Sequence, residues 1–393
     1  MKFIHFSDAN LGRPITDTVI KTTPQKEEVI FNSLFTSFEN IVKYAISKEV
    51  DFIVISGGLL FQEVNVAFVQ DFLDQQFSLL ADKNINVFIT MDINRTVNFS
   101  DNVYVFTESG DTQIFSTPDG TSVAISGASK TQSGSGPDTF KSMPIRNNEV
   151  NYHIGVLNGV VSDVASTIAV SVDQLTNLGY DYFALGGAKN VAIMNQKPFI
   201  AYPGAVQGTN PSESGAHGVI YVETDETGTL KPDFIHTNAI EFHDIEIPVD
   251  VKQPVSKIIE AVAQQLPESI FSLYSVNLVS SDGTFNGKLF SETNFGNFAQ
   301  QLNKMTEDKN FYVASVAYSD PNSSSNVLQT SIDQGTWNLF GNEIFKLDNL
   351  SEVVTKRFKD EAPFVLTDLL NDQVMAKISQ NAKTLVNHSE EMR

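Results

Sequence analysis

Residues 2–7 read KFIHFS and residues 51–56 read DFIVIS, and these two short apolar stretches decide the class of the fold. The first ends at Asp8, and the second is broken by the pair Gly57 and Gly58. A continuous apolar run of this length is typical of a strand that is buried on both faces of a sheet. Both stretches are therefore predicted to be strands of an α/β sheet.

The segments around these strands carry helical spacing. Apolar residues recur at helical intervals over 26–49 and again over 65–83, and a third buried strand, NVFIT, follows at 86–90. The resulting order is strand, helix, strand, helix, strand. This order predicts a largely parallel sheet with right-handed crossovers.

Beyond residue 100 the pattern changes to short runs separated by turn residues, which predicts an antiparallel or mixed second sheet. Strands are predicted at 152–157, 182–185 and 218–223, with a helical stretch near 171–178. We expect an α/β protein with two stacked mixed β-sheets flanked by helices.

The chain is predicted to contain three regions. Residues 1–242 form the large α/β domain, and residues 243–320 form a small α+β domain of alternating strands and helices. Residues 321–393 begin with the linker-like PNSSSN and continue into a helical region that packs on the body or presents an apolar stripe to another chain.

Composition narrows the classes of function. The chain has 393 residues, of which 41% are apolar, and it has no cysteine, which excludes disulfides, thiolate metal sites and a cysteine nucleophile. No stretch is long and apolar enough for a membrane span, and no signal-peptide pattern opens the sequence, so a cytoplasmic protein is expected. The formal charge of −21 predicts that the chain binds DNA only weakly or through a partner.

Five segments together resemble a known family. They are FIHFSDANLG at 3–12, VDFIVISGGLLF at 50–61, IGVLNG at 154–159, YDYFALGG at 180–187 and YPGAVQGTNPSESGAHGVIYVE at 202–223. In this order they resemble the calcineurin-like metallophosphoesterases of the bacterial SbcD/YhaO exonuclease type, over roughly residues 1–240. The resemblance implies a four-layer metallophosphoesterase sandwich with a C-terminal capping domain.

Active members of that family carry DxH, GDxxD-like, GNHD, LHG and GHxH motifs, which build a site for two metal ions. In this chain the DxH position reads Asp8-Ala9-Asn10, so its histidine is lost. The aspartate expected to bridge the two ions is replaced by Gly58. Two close dications need an anion between them, so this loss alone argues strongly against a two-metal centre.

The remaining motif positions are also altered. The GNHD position reads Met91-Asp92-Ile93-Asn94, which places Asp92 at a ligand position and Ile93 at the catalytic histidine. Asn158 replaces the LHG histidine, and Gly187 and Lys189 replace the GHxH pair. The six histidines of the chain fall at none of the ligand positions. The resemblance therefore predicts a pseudo-nuclease.

Two interpretations of the surviving aspartates stay open. Asp8 and Asp92 could hold one Mg or Ca ion with help from Asn10, Asn158 and water, because hard cations accept carboxylate and amide oxygens. Mn or Mg bound at low occupancy or affinity is the cofactor that this interpretation allows. Alternatively, both aspartates cap nearby turns or pair with Lys189. The second interpretation is favoured, and no cofactor is then expected.

Three functions follow from these alternatives. The leading hypothesis is a catalytically inactive scaffold or regulator that works with an SMC-like coiled-coil ATPase in DNA repair, as the resemblance implies. The others are a metal-dependent phosphodiesterase or exonuclease with a reduced one-metal site, and non-catalytic binding of phosphate or a nucleotide through Lys189. A homodimer is compatible with each of them.

Overall fold

The computed structural model describes residues 1–15, 22–91, 96–129, 140–162, 169–281 and 295–319. The strands are β1 (Lys2–Phe6), β2 (Phe52–Ser56), β3 (Asn86–Thr90), β4 (Val103–Val105), β5 (Asp111–Ser116), β6 (Ser122–Gly127), β7 (Tyr152–Asn158), β8 (Val160–Ser162), β9 (Ala169–Ser171), β10 (Tyr182–Gly186), β11 (Ala192–Gln196), β12 (Phe199–Tyr202), β13 (Gly218–Thr224), β14 (Leu230–His236), β15 (Ile240–Val249), β16 (Phe271–Ser280) and β17 (Phe311–Ser319). The helices are α1 (Pro24–Phe31), α2 (Ser33–Lys48), α3 (Val66–Ala81), α4 (Val172–Asn177), α5 (Val255–Gln265) and α6 (Phe295–Met305).

The chain divides into two compact units. The first comprises Met1–His243 and Ser269–Leu273. The second comprises Asp244–Glu268 and, among the described residues, 274–281 and 295–319. The predicted linker and helical region at 321–393 lies outside the described residues.

The first unit contains two six-stranded mixed sheets. The first sheet has the order β14-β13-β1-β2-β3-β4, in which β1 to β4 are parallel. Strand β13 pairs antiparallel with β1, and β14 pairs antiparallel with β13. The predicted parallel βαβαβ series is confirmed here. All five residues of β2 are buried, as expected for a central strand covered on both faces.

The second sheet has the order β11-β12-β10-β7-β6-β5. Its four inner strands are parallel, and β5 and β11 pair antiparallel at the two edges. The predicted mixed second sheet is therefore confirmed. Strands β7 and β10 end side by side, with Asn158 opposite Gly186, so the residues that follow them emerge at the same edge.

A shared apolar core joins the two sheets. Phe3 and Phe52 of the first sheet stack at 4.9 Å between ring centroids, and Phe3 meets Tyr182 of the second sheet edge to face at 5.2 Å. All three rings are fully buried. Burial of large aromatic side chains between sheets is a principal source of stability in such a sandwich.

Helices α2 and α3 lie over the first sheet, with Phe38 of α2 edge to face against Phe6 of β1 at 5.7 Å. The single helix expected over 26–49 is wrong in one respect, because α1 and α2 are separated at Asn32. Asn32 has φ −89° and ψ 1°, outside helical geometry. The break is confined to these angles, because the Asn32 amide still donates to the Glu28 carbonyl and the Thr36 amide still donates to the Asn32 carbonyl.

The second unit has a core of its own. Its three-stranded sheet, β15-β16-β17, packs with α5 and α6 through buried side chains that include Val262, Leu302 and Val313. The alternation of strands and helices predicted from the sequence is confirmed for this part of the chain. Over both units, none of the described helices has the length and apolar character needed to cross a membrane.

Gly186 provides a test of how closely the two sheets must approach. A Cβ atom added there would overlap the carbonyl oxygen of Ser56, a backbone atom that has no freedom to move aside. We expect Gly186→Ala to lower the free energy of unfolding by about 3 kcal/mol or more, measured by urea denaturation.

The matched control is Gly120→Ala, because a Cβ atom there meets nothing within 4 Å although the backbone φ is +83°. That change should cost about 1 kcal/mol, which is the penalty for the left-handed conformation alone. Equal losses in the two variants would contradict a tight contact at Gly186.

Candidate functional site

The loops that follow β1 and β2 are joined through their backbones. The Asp8 amide donates to the Gly57 carbonyl at 3.0 Å, and the Asn10 amide donates to the Gly58 carbonyl at 2.7 Å. Asp8 and Asn10 have φ values of 53° and 44°, in a region that aspartate and asparagine tolerate better than other non-glycine residues. The two loops therefore form one structure at the end of the sheet.

The Asp8 carboxylate is held by donors from both sheets. Its Oδ2 atom accepts hydrogen bonds from the Ser7 hydroxyl at 2.7 Å and from the Gly187 amide at 2.9 Å. Gly187 directly follows β10, so this bond links the end of the first sheet to the end of the second. Asp8 thus joins the loop after β1 to the loop after β10, and the favoured interpretation of the two aspartates as turn caps stays a prediction.

Gly58 has no room for the carboxylate that the family pattern carries at this position. A Cβ atom built on Gly58 would lie 2.7 Å from Asp8 Cα and 2.9 Å from Asp8 N. Real Cβ atoms essentially never come that close to backbone, and the φ of +65° at Gly58 adds strain for any side chain. Glycine at position 58 therefore fits a close contact with Asp8 that leaves no room for a side chain.

Asn158 lies between the ends of the two sheets. A Cβ atom on Gly57 would overlap its amide nitrogen, and one on Gly187 would lie 3.1 Å from its Oδ1 atom. The structure therefore brings together five of the positions that the sequence selects, namely Asp8, Asn10, Gly58, Asn158 and Gly187. Asp92 and Ile93, with Asn94, lie outside the described residues.

Lys189 forms an ion pair with Glu213, at 2.7 Å between Nζ and Oε1. The Glu213 side chain is only 1% exposed, whereas that of Lys189 is 62% exposed. The other carboxylate oxygen of Glu213 accepts from the amide and hydroxyl of Thr209 at 3.0 and 2.9 Å. The guanidinium of Arg13 lies 3.6 Å from Oε1, so two cations face one buried carboxylate.

These contacts set the charge state of Glu213. Burial by itself would raise the pKa of this carboxyl, but the Lys189 ammonium, the Thr209 donors and the Arg13 charge together lower the pKa to about 2. Glu213 is therefore ionised at neutral pH. Its negative charge is offset locally and is not available as a strong ligand for a further cation.

The pairing of Lys189 with Glu213 differs from the sequence interpretation, which paired Lys189 with an aspartate of the site. Glu213 was not singled out, although it lies in the quoted stretch TNPSESGAHG. A usable signal was present, because the stretch 203–217 between β12 and β13 contains a single carboxylate, Glu213. The glycine-rich loop before β13 supplies the partner of Lys189.

His5 is buried directly behind the site. Its Nε2 atom lies 3.1 Å from the Leu185 carbonyl, which can only accept, so this nitrogen carries the proton. Nδ1 then accepts from the Tyr182 hydroxyl at 2.9 Å. Complete burial lowers the pKa of His5 to about 3, so the ring is a neutral structural link between the two sheets.

The described residues do not fit a two-metal centre. Throughout the described ranges, which exclude 92–95, no group of three or more His, Cys, Asp or Glu side chains has an arrangement that could hold a metal ion. Asp8 already accepts two hydrogen bonds, Gly58 lacks a side chain, and Lys189 brings a positive charge. These features disfavour two adjacent dications.

Comparison with protein families finds no family model that matches the chain, and comparison with curated proteins finds no match either. Among solved structures, the chain is similar to TT1561 of Thermus thermophilus with a TM-score of 0.32 and 10% identity. The match covers 60% of this chain and 99% of that chain. A likeness at this level assigns neither a family nor an activity.

Removal of the lysine tests whether Lys189 stabilises the buried carboxylate. Lys189→Met leaves Glu213 with Arg13 as its nearest cation, and we expect the free energy of unfolding at pH 7 to fall by about 1–3 kcal/mol. The measurement is urea denaturation. The matched control is Lys43→Met, which breaks the exposed pair with Glu39 and should change stability by less than about 0.5 kcal/mol.

The depressed pKa of Glu213 also predicts a pH dependence. Because the folded value of about 2 lies below the ordinary value of 4.5, the stabilisation is complete above pH 4.5 and is lost as the pH falls towards 2. The stability difference between wild type and Glu213→Gln should therefore shrink over that range. Urea denaturation at a series of pH values measures it.

The control for this pH series is Glu268→Gln, which removes a carboxylate from an exposed pair with Lys309. Its effect on stability should be small at every pH. A difference between wild type and Glu213→Gln that stays constant on acidification would show that Glu213 carries no depressed pKa.

Proposed function

We propose that this chain is a catalytically inactive relative of the SbcD/YhaO exonucleases that acts as a scaffold or regulatory subunit. One observation carries the proposal. The groups at the ends of the two sheets bind one another, with the Asp8 carboxylate accepting from Gly187 and Lys189 paired to Glu213. Groups that bind one another in this way contribute to stability more than to turnover.

The chemistry of phosphodiester hydrolysis supports the same conclusion. A two-metal mechanism needs ligands that hold both ions and an anion that bridges them. The convergent positions Asp8, Asn10, Gly58, Asn158 and Gly187 supply one carboxylate and two amides. The bridging position, Gly58, has no space for a carboxylate unless the Asp8 loop moves.

Binding of phosphate by Lys189 and the backbone amides at the ends of the two sheets has weaker support. The Lys189 ammonium lies 2.7 Å from Glu213, and the Gly187 amide already donates to Asp8. An incoming phosphate would have to displace both carboxylates from donors that they already hold. The formal charge of −21 adds long-range repulsion for any polyanion.

The partner in this proposal is an SMC-like coiled-coil ATPase, and the activity served is DNA repair. Both parts rest on the sequence resemblance to the SbcD/YhaO type. The acidity of the chain is consistent with DNA contacts made through the ATPase instead of through this surface. Co-purification that fails to recover such an ATPase, under conditions in which an active SbcD-type nuclease does so, would argue against this partner.

Metal binding is the first test of the inactive site. Chelator-stripped protein titrated with manganese in a calorimeter should show no binding at micromolar affinity, and manganese should support no cleavage of linear duplex DNA. The physical reason is that the site lacks the bridging anion and the imidazole ligands of the family.

The variant Asp8→Asn makes this test specific, because asparagine keeps the left-handed backbone and removes the charge. Asp82→Asn, an exposed aspartate at the end of α3, is the matched control. Binding of about two manganese ions per chain, with cleavage that Asp8→Asn abolishes and Asp82→Asn retains, would establish a nuclease instead.

A further inference from the structure

A series of aromatic side chains leads from the core of the first unit to its surface. Phe38 is buried, and its ring lies 5.8 Å from that of Phe72. Phe72 meets Phe35 at 5.0 Å, and Phe35 meets Phe68 at 6.2 Å, all edge to face. Phe68, the last of the series, is 70% exposed. The core thus extends without a polar break to an aromatic surface.

A second exposed ring belongs to the same surface. Phe31, the last residue of α1, is 63% exposed and precedes Phe35 by four residues, and the hydrogen bonds from the Asn32 amide to Glu28 and from the Thr36 amide to Asn32 continue the helical path between them. We call Phe31, Phe35, Phe68 and Phe72 the phenylalanine patch. Its rigid rings lie on α1, α2 and α3. Exposed patches of large apolar side chains on folded proteins commonly mark binding surfaces.

Acidic side chains accompany the patch on both outer helices. Glu27 and Glu28 precede Phe31 by four and three positions in α1, and Asp71 follows Phe68 by three positions in α3. Side chains at such spacing are neighbours on a helix surface. Helix α3 contains two aspartates and no lysine or arginine, so this side of the patch is acidic.

We propose that the phenylalanine patch docks an amphipathic helix of another protein that carries lysine or arginine beside its apolar residues. The rings supply an apolar surface whose π faces attract cations, and the flanking carboxylates attract the same charges. Phe68 lies 6.2 Å from the ring of Phe35, so the exposed ring is continuous with the aromatic series beneath it.

Charge favours this partner over a second copy of the chain. Two copies that met through the patch would bring Glu27, Glu28 and Asp71 of one against the same acids of the other. Each chain also carries a formal charge of −21, and like charges placed opposite one another disfavour an interface. A cationic helix removes this repulsion and gains attraction instead.

The probe is a fluorescently labelled Leu/Lys amphipathic peptide, with a Leu/Glu peptide of the same length as its counterpart. Fluorescence anisotropy should show that Phe68→Ser weakens binding of the Leu/Lys peptide by about tenfold or more, because an aromatic anchor is lost. Phe31→Ser should act in the same direction. Asp71→Asn should weaken binding by a few-fold and reduce its dependence on salt.

Ile145→Ser is the matched control, because Ile145 is an apolar side chain that is 79% exposed and belongs to none of the three helices. It should leave the affinity unchanged within about twofold. The two phenylalanines are largely exposed, so both variants should keep the urea midpoint of the wild type. If one of the two variants failed to fold, the other would still test the proposal.

The proposal is overturned if the Leu/Glu peptide binds as well as the Leu/Lys peptide. It is also overturned if Phe68→Ser, Phe31→Ser and Ile145→Ser all bind with wild-type affinity, since attraction to the acidic surface in general would then suffice. Sedimentation provides a further arm, in which a dimer that Phe68→Ser dissociates would identify a second copy as the occupant. None of these measurements depends on metal or nuclease activity, so the result is separate from that for the proposed function.

Discussion

The close approach of the two sheets at the ends of β2 and β10 is the constraint on which the rest of the first unit depends. Gly186 lies so close to the Ser56 carbonyl that even a methyl group would overlap it, and Gly57 lies as close to the Asn158 side chain. Close-packed interiors accommodate such overlap only by movement of backbone. This approach allows loops from different sheets to share hydrogen bonds.

The same proximity explains how the buried negative charge of Glu213 is stabilised. A buried carboxylate costs several kcal/mol unless donors and a counter-charge offset the loss of water. Glu213 receives Lys189, Arg13 and two donors from Thr209. Lys189 therefore supplies one of the two cations that face this carboxylate. The ion pair gives Lys189 a structural role that does not depend on any ligand.

Sequence patterns predicted most of the described architecture, because they report burial directly. The run DFIVIS became a strand with every residue from Phe52 to Ser56 buried. The break at Asn32 was missed, since apolar spacing continues through it and so do the backbone hydrogen bonds from the Asn32 amide to Glu28 and from the Thr36 amide to Asn32; only the backbone angles of Asn32 separate the two helices. The family pattern selected five positions that meet in space, yet it did not reveal Glu213. Such a pattern records ligands, whereas the partner of Lys189 is set by packing that no single motif describes.

The backbone at Asp8 and Asn10 shows how the loop at the end of the first sheet keeps its shape. Left-handed conformations at non-glycine residues cost of order 1 kcal/mol each and are often kept for function. Here each is offset by a hydrogen bond to the loop after β2, from the Asp8 amide to Gly57 and from the Asn10 amide to Gly58. The loop shape is thus maintained by the protein backbone itself. Side chains at the ends of the two sheets can therefore be exchanged while the glycines and carbonyls that shape the loops continue to stabilise the sandwich.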